Sequence, residues 1–189
     1  MKIFLDKEIF EMKLTITTNC ILRCQYCFVD KNQKPSLMDL SIAKRAMDFF
    51  LNSPGKEKIL KIYGGEPLLN FNLVKKITPY IVEKAKEKNK KVVLSLCTNA
   101  ILLTDEHLNF FRKNFFQLAL SLDGKKETHD KFRKFPSGEG TYEIVVKNVK
   151  KALQELGPEN VAINMAIAPS EVEKMFDNFR HILELGFST

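Results

Sequence analysis

The chain predicts an α/β fold built on a parallel sheet, from three observations. Short β-branched or apolar runs alternate with longer runs whose apolar residues recur at helical spacing, about five times in succession. The connections between them are short, and each crossover helix returns the chain to the same strand direction. The length of 189 residues suits one domain with a real core. A doubly wound sheet and a barrel give similar patterns, so the repeat alone leaves both open.

The elements follow in order. Residues 12–18 (MKLTITT) form the first strand. Residues 39–51 set Ile42, Ala43, Ala46, Met47 and Phe50 on one helical stripe, with Asp39 as N-cap. Residues 59–63 read as the second strand, and residues 71–88 as a long amphipathic helix with Leu73, Val74, Ile77, Ile81 and Ala85 inward. A third strand at 92–97 precedes a helix opening at Thr104-Asp105-Glu106, whose acids suit the positive end of the helix dipole. Residues 116–121 give the fourth strand. A loop through Gly140 then leads to a helix at 142–156 that buries Ile144, Val145, Val149, Ala152 and Leu153 and stops at Gly157-Pro158. The fifth strand spans 161–167, and Ser170 with Glu173 reads as a capping box for a last helix ending near Gly186. Residues 186–189 read as the entry to a sixth strand. The expected organisation is a lead-in of residues 1–12, too short for a separate peptide-recognition domain, and one core domain at 13–189, truncated near that strand.

Hydrophobic residues make up 44% of the chain, which argues against disorder. No run approaches the ~18 apolar residues of a membrane span, and charges interrupt the N-terminal stretch where a signal peptide would be apolar. The expectation is a cytoplasmic protein with no membrane partner. The formal net charge of +7 allows an anionic partner. Its lysines, however, are spread over helices (Lys84, Lys86, Lys88, Lys147, Lys150, Lys151), as on solvated faces, and no nucleic-acid motif appears.

Three of the four cysteines, Cys20, Cys24 and Cys27, fall within eight residues directly after the first strand. In a cytosolic chain such a cluster points to metal or redox work rather than disulfides. Loops at the C-terminal ends of parallel strands are where functional groups collect. Three thiolates can hold three irons of a four-iron cluster and leave the fourth without a protein ligand. The alternative is a structural zinc site completed by Cys97 or a histidine. Cys97 itself reads as a buried residue closing the third strand. His107 and His181 sit on helices, where packing or surface roles are the default.

The C-x3-C-x2-C spacing with Tyr26 before the third cysteine, followed after the second strand by Gly64-Gly65-Glu66-Pro67, resembles the radical S-adenosylmethionine (radical SAM) superfamily. The resemblance extends to Thr98-Asn99, to Ser121-Leu122-Asp123-Gly124, and to His129-Asp130 with Arg133. These last segments resemble the peptide- and protein-modifying subgroup, such as anaerobic sulfatase-maturating enzymes. The resemblance implies a partial (β/α)6 TIM-like barrel, a [4Fe-4S] cluster on Cys20, Cys24 and Cys27, and S-adenosylmethionine bound beside it. It places Tyr26, Gly64, Gly65, Glu66, Pro67, Asn99, Ser121, Asp123 and Arg133 at that cofactor. Glu66 would answer the methionine amino group, Ser121 the ribose hydroxyls and Arg133 the methionine carboxylate. Asp123 would assist at the ribose or shape the turn before Gly124, and His129-Asp130 would shape the site or form a polar loop pair. The implied reaction is reductive cleavage of S-adenosylmethionine to a 5′-deoxyadenosyl radical that abstracts hydrogen from a peptide or protein side chain. A low-potential donor such as flavodoxin or ferredoxin would supply the electron.

Two departures stand out. Ala100 occupies a position where the family usually has glycine, and no cysteine follows Cys97 to build auxiliary clusters. The residue that finishes substrate oxidation is expected beyond Thr189. A non-catalytic fragment or a zinc-stabilised binding module is the competing expectation.

Overall fold

The computed structural model describes residues 7–29 and 34–187. The elements run β1 (Glu11–Thr15), α1 (Leu40–Asn52), β2 (Glu57–Tyr63), α2 (Phe71–Glu87), β3 (Lys91–Thr98), α3 (Asp105–Lys113), β4 (Phe116–Ser121), α4 (Lys126–Phe132), α5 (Tyr142–Leu156), β5 (Val161–Asn164) and α6 (Met175–Glu184). Five strands form one sheet in the order β1-β2-β3-β4-β5. Every pairing is parallel, with Met12 beside Leu60, Leu60 beside Leu94, Leu94 beside Phe116 and Leu118 beside Val161.

That order resolves the alternative the repeat left open. A doubly wound sheet reverses its strand order at a switch point. Here each strand adds at the same edge, and right-handed crossovers that always advance one way put every helix on one face. The result is the wall of a partial barrel, with helices outside. Leu14, Leu60, Ile62, Leu94, Leu96, Leu118 and Leu120 point outward into the core and meet Met47, Phe50, Val74, Ile77 and Val149 from the helices. Phe71, Phe110, Phe111 and Phe116 interlock edge-on or tilted where α2, α3 and β4 meet, a geometry the ring quadrupole favours.

Local chemistry explains the helix starts. Asp39 accepts from the backbone N–H groups of Ser41 and Ile42 and so caps α1 as expected. Thr104 caps α3, and His107 Nδ1 accepts from the Thr104 backbone at 3.1 Å, a capping box closed by histidine. Ala100 sits in the left-handed region with φ 65, which is why glycine suits this turn.

Several expectations need correction. Ile42 (49% exposed) and Ile144 (42% exposed) lie on the solvent side, and Leu51 and Leu156 take the inward places. The capping box of Ser170 and Glu173 does not form. Residues Pro169–Lys174 wind as a 3-10 helix instead, and α6 begins without a side-chain cap. Pro169 starts the tighter turn, and Glu171 is drawn inward between Lys131 and Lys174. The loop after β4 contains the short helix α4. β5 stops at Asn164 rather than residue 167. β1 stops at Thr15; Thr17 instead bridges antiparallel to Leu37. Gly186 and Phe187 form no strand, and Ser188 and Thr189 lie outside the described residues, as does half of the lead-in. Among the described residues no helix is long and apolar enough to cross a membrane.

Candidate functional site

The C-terminal ends of the strands surround a cavity of about 250 Å³. Its wall includes Cys20, Cys24, Tyr26 and Cys27 from the first loop, and Gly64 and Gly65 after β2. Asn99 after β3, Ser121 at the end of β4 and Arg133 after α4 complete it. A second hollow of about 340 Å³ on the far side of the same loop shares Cys20, Cys24 and Cys27 and adds Arg23, Pro35 and Leu69. The cysteine loop is therefore a partition with space on both sides.

Backbone bonds fix that partition. Arg23 and Gln25 donate their N–H groups to Lys134 O (2.8 Å) and Phe132 O (3.0 Å), and Cys27 N closes a turn onto Cys24 O (3.2 Å). Gly65 N and Glu66 N donate to Thr17 O (2.9 Å) and Asn19 O (2.7 Å). A Cβ on Gly65 would stand 2.3 Å from Asn19 O, so the glycine is what lets the two loops touch.

All four cysteines are free thiols. Burial pushes the Cys20 and Cys24 thiols up; the Leu22 backbone N–H at Cys20 and the Arg133 charge near Cys24 pull the other way. Asn99 Nδ2 donates to Cys20 Sγ at 3.7 Å. Among the described residues no three His, Cys, Asp or Glu side chains are gathered to hold one ion, and Cys20, Cys24 and Cys27 line a shared cavity instead. A four-iron cluster is bonded at separate corners, and three thiols spread around one cavity fit that demand.

Glu66 is not on the cavity wall. It is fully buried: Oε1 accepts from Thr98 Oγ1 (2.7 Å) and Leu68 N (3.0 Å), and Oε2 accepts from Asn99 N (2.8 Å). Burial raises its pKa against those three bonds. Here the carboxylate ties the glycine loop to the end of β3, while Pro67 opens the buried 3-10 turn that follows. Asn99 Oδ1 accepts from Ile101 N (3.0 Å), which turns its amide toward the cysteines.

Asp123 is also fully buried and off the wall. It takes Arg133 bidentately, Nε to Oδ2 at 2.9 Å and Nη2 to Oδ1 at 3.1 Å, and accepts from Ala166 N (2.9 Å) and the Tyr26 hydroxyl. Its place is behind Arg133, not only at the turn. Arg133 lies 5.3 Å over the Tyr26 ring, and burial raises the Tyr26 phenol.

The His129-Asp130 pair shapes the site. His129 Nδ1 accepts from Asp123 N (3.3 Å), so Nε2 carries the proton toward Thr141 Oγ1 (2.9 Å), which donates to Arg133 O (3.0 Å). Burial, then the Arg133 charge, lowers the His129 pKa to about 4. Asp130 Oδ1 accepts from Thr141 N and Tyr142 N at the start of α5. Thr141, Asn164 and the Ala166 backbone carry no local motif, so the sequence offered no signal for them.

Cys97 is half-buried and faces the cavity, where Asn164 Nδ2 donates to its sulfur at 3.6 Å. It does not pack into the core as expected. Strand alternation sends Leu96 and Thr98 outward and leaves Cys97 inward.

The Radical SAM superfamily profile matches residues 14–183. The chain is 29% identical over 141 residues to a cysteine-type anaerobic sulfatase-maturating enzyme of Clostridium novyi, covering 71% of this chain and 37% of that protein. It is 31% identical over 175 residues to a probable GTP 3′,8-cyclase of Methanococcus maripaludis, covering 89% of this chain and 53% of that protein. The solved structure of native anSMEcpe with bound AdoMet and Cp18Cys peptide superposes with a TM-score of 0.81 at 24% identity, over 94% of this chain and 48% of that one. The chain thus spans about half the length of these relatives or less. Joined by a profile that runs from β1 into α6 and by a cysteine loop set at the mouth of a parallel barrel wall, the chain belongs to the radical SAM superfamily.

Proposed function

We propose that the chain is the catalytic core of a radical SAM enzyme that starts hydrogen abstraction on a peptide or protein side chain. One observation carries the reading: Cys20, Cys24 and Cys27 share a single cavity with Gly64, Gly65, Asn99, Ser121 and Arg133. The thiols would hold a [4Fe-4S] cluster, and the glycine turn, Ser121 and Arg133 would hold S-adenosylmethionine against its unliganded corner. When bound, that pair supplies reductive cleavage of a sulfonium and with it a hydrogen-abstracting carbon radical.

The chain's own residues orient and shield. The Nε/Nη2 edge of the Arg133 fork is committed to Asp123, and Nη1 makes no hydrogen bond among the described residues, so it is left for a ligand carboxylate. Asn99 Nδ2 places a donor at the Cys20 sulfur, a contact that tunes a cluster's potential. Tyr26 and Arg133 stack to close one side against water. Since burial holds the Cys20 and Cys24 thiols protonated, loading metal releases protons, and cluster retention strengthens as pH rises. Similarity to sulfatase-maturating enzymes supports the peptide substrate, and a flavodoxin or ferredoxin would deliver the electron.

The test is anaerobic reconstitution with iron and sulfide, then addition of S-adenosylmethionine and dithionite. The proposal expects a brown protein, bleached by the reductant, that forms 5′-deoxyadenosine. A colourless protein holding one zinc, or an iron-loaded protein that leaves S-adenosylmethionine intact, contradicts it.

A further inference from the structure

Parallel sheets are normally covered on both faces, and their strands read as continuous apolar runs. This sheet does not. β2 alternates strictly between buried and accessible residues, β1, β3 and β5 share the pattern, and β4 follows it as far as Leu120, with Ser121 buried at the cavity. The apolar set faces the helices; the other set faces the inside of the barrel wall. Tyr63, Cys97, Ser121 and Asn164 belong to this inner set because they line the cavity. Side chains repeat every second residue, so Lys61 and Ser95 continue the same face one layer further from the cavity, while Ala119 and Ala162 stand level with Cys97.

The register fills in that layer. Lys13 stands beside Lys61, Lys61 beside Ser95, and Ser95 beside Gln117. The inner face therefore carries two lysines side by side. Lys61 is neutralised by Glu11 at 2.6 Å, and among the described residues Lys13 makes no ion pair. Among the described residues, Lys13 is thus the lysine of this pair without a carboxylate partner, one layer beneath the cavity. Burial dominates the Cys97 thiol and pushes its pKa up, against which the Asn164 hydrogen bond and, more weakly, the Arg133 and Lys13 charges act.

A polar inner face carrying an ammonium that is unpaired among the described residues suits a hydrophilic occupant that brings its own negative charge. We propose that Lys13 selects the substrate by pairing with a carboxylate on the peptide presented to the cavity, so that an acidic residue near the target side chain is part of the recognition element. The proposal rests on the peptide reading above and adds a specificity residue to it. Lys13 lies one layer below Tyr63 and Cys97, within reach of the inner space without belonging to the cavity wall, as a selecting rather than a catalytic residue requires.

The experiment uses the reconstituted protein and two labelled decapeptides, each with a central cysteine, one flanked by Glu and the other by Gln. Fluorescence anisotropy at low salt should give binding of the Glu peptide about tenfold tighter. Lys13→Met should bring the ratio near one, and Lys13→Arg, which keeps the charge, should restore most of it. Equal iron content in the three proteins checks that the site has survived. A ratio near one in the unaltered protein, or a ratio untouched by Lys13→Met, overturns the proposal. Lys13-dependent binding of GTP without peptide binding overturns the peptide as the source of the anion. The two readings fail separately: a protein that forms 5′-deoxyadenosine yet ignores peptide charge sinks only this inference, whereas one that forms none sinks the proposed function first.

Discussion

Arg133 reaches the cavity with its aim already set. Asp123 holds the Nε/Nη2 edge of its guanidinium, the guanidinium carbon lies 5.3 Å over the Tyr26 ring, and the Asp123 carboxylate is sealed from water. Removing one member of a buried ion pair leaves a charge uncompensated and costs about 3–5 kcal/mol. Asp123→Ala should therefore lower the unfolding free energy of the metal-free protein, read from denaturant titration, by that amount and weaken S-adenosylmethionine binding as well. Loss of binding without loss of stability would contradict the pairing. The cysteines divide in the same manner. Cys24→Ala should abolish cluster binding, since two thiolates should not retain it, while Cys97→Ala, on the sheet wall, should leave iron content nearly unchanged. His129 yields a pH prediction. Its folded pKa of about 4 lies below the ordinary 6.5, so the unfolded chain binds the proton more readily and stability falls as pH drops from 6.5 toward 4. The expected loss from this residue is roughly 3 kcal/mol. Thermal unfolding of wild type and His129→Gln across that window measures it, and parallel slopes would exclude the buried neutral histidine.

At the level of elements, the contact between the cysteine loop and the glycine turn is the joint on which the site depends. Gly65→Ala would drive a Cβ into the Asn19 and Thr18 carbonyl region, where only backbone can yield. Overpacking of this kind costs about 1–3 kcal/mol. The variant should keep its far-UV circular dichroism and lose most of its iron, because the sheet is built elsewhere; full iron retention would mean the loops can part freely. The helices were legible because periodicity is local: α2 and α5 buried their interior stripes nearly as read, Asp39 caps α1 as expected, and α3 opens at Thr104 as expected. What failed depended on distant partners. Glu171 is inverted by Lys131, forty residues away, and α4 is too short for a period to announce it. Ile42 and Ile144 lie at the margins of their stripes, where an apolar residue can face either way, and both turn to solvent.

For the molecule as a whole, the order of the strands does what the motifs cannot. Sequential parallel pairing brings the ends of β1 to β4 around one cavity, so residues more than a hundred positions apart in the chain become neighbours. The motif residues could be read directly because each lies in a short loop after a strand. The Asp123–Arg133 pair, the His129–Thr141 relay and the inward turn of Cys97 could not, because they exist only once the wall has closed that far. Glu66 marks the limit most clearly: its place in the motif was plain, and its burial beneath the wall was not. The central claim is that three cysteines leave one corner of a cluster for S-adenosylmethionine. Electron paramagnetic resonance of the reduced, reconstituted protein tests it most directly. The account predicts roughly four irons per chain and a cluster signal that changes shape when S-adenosylmethionine is added. A protein without the cluster, or a signal indifferent to S-adenosylmethionine, would contradict it.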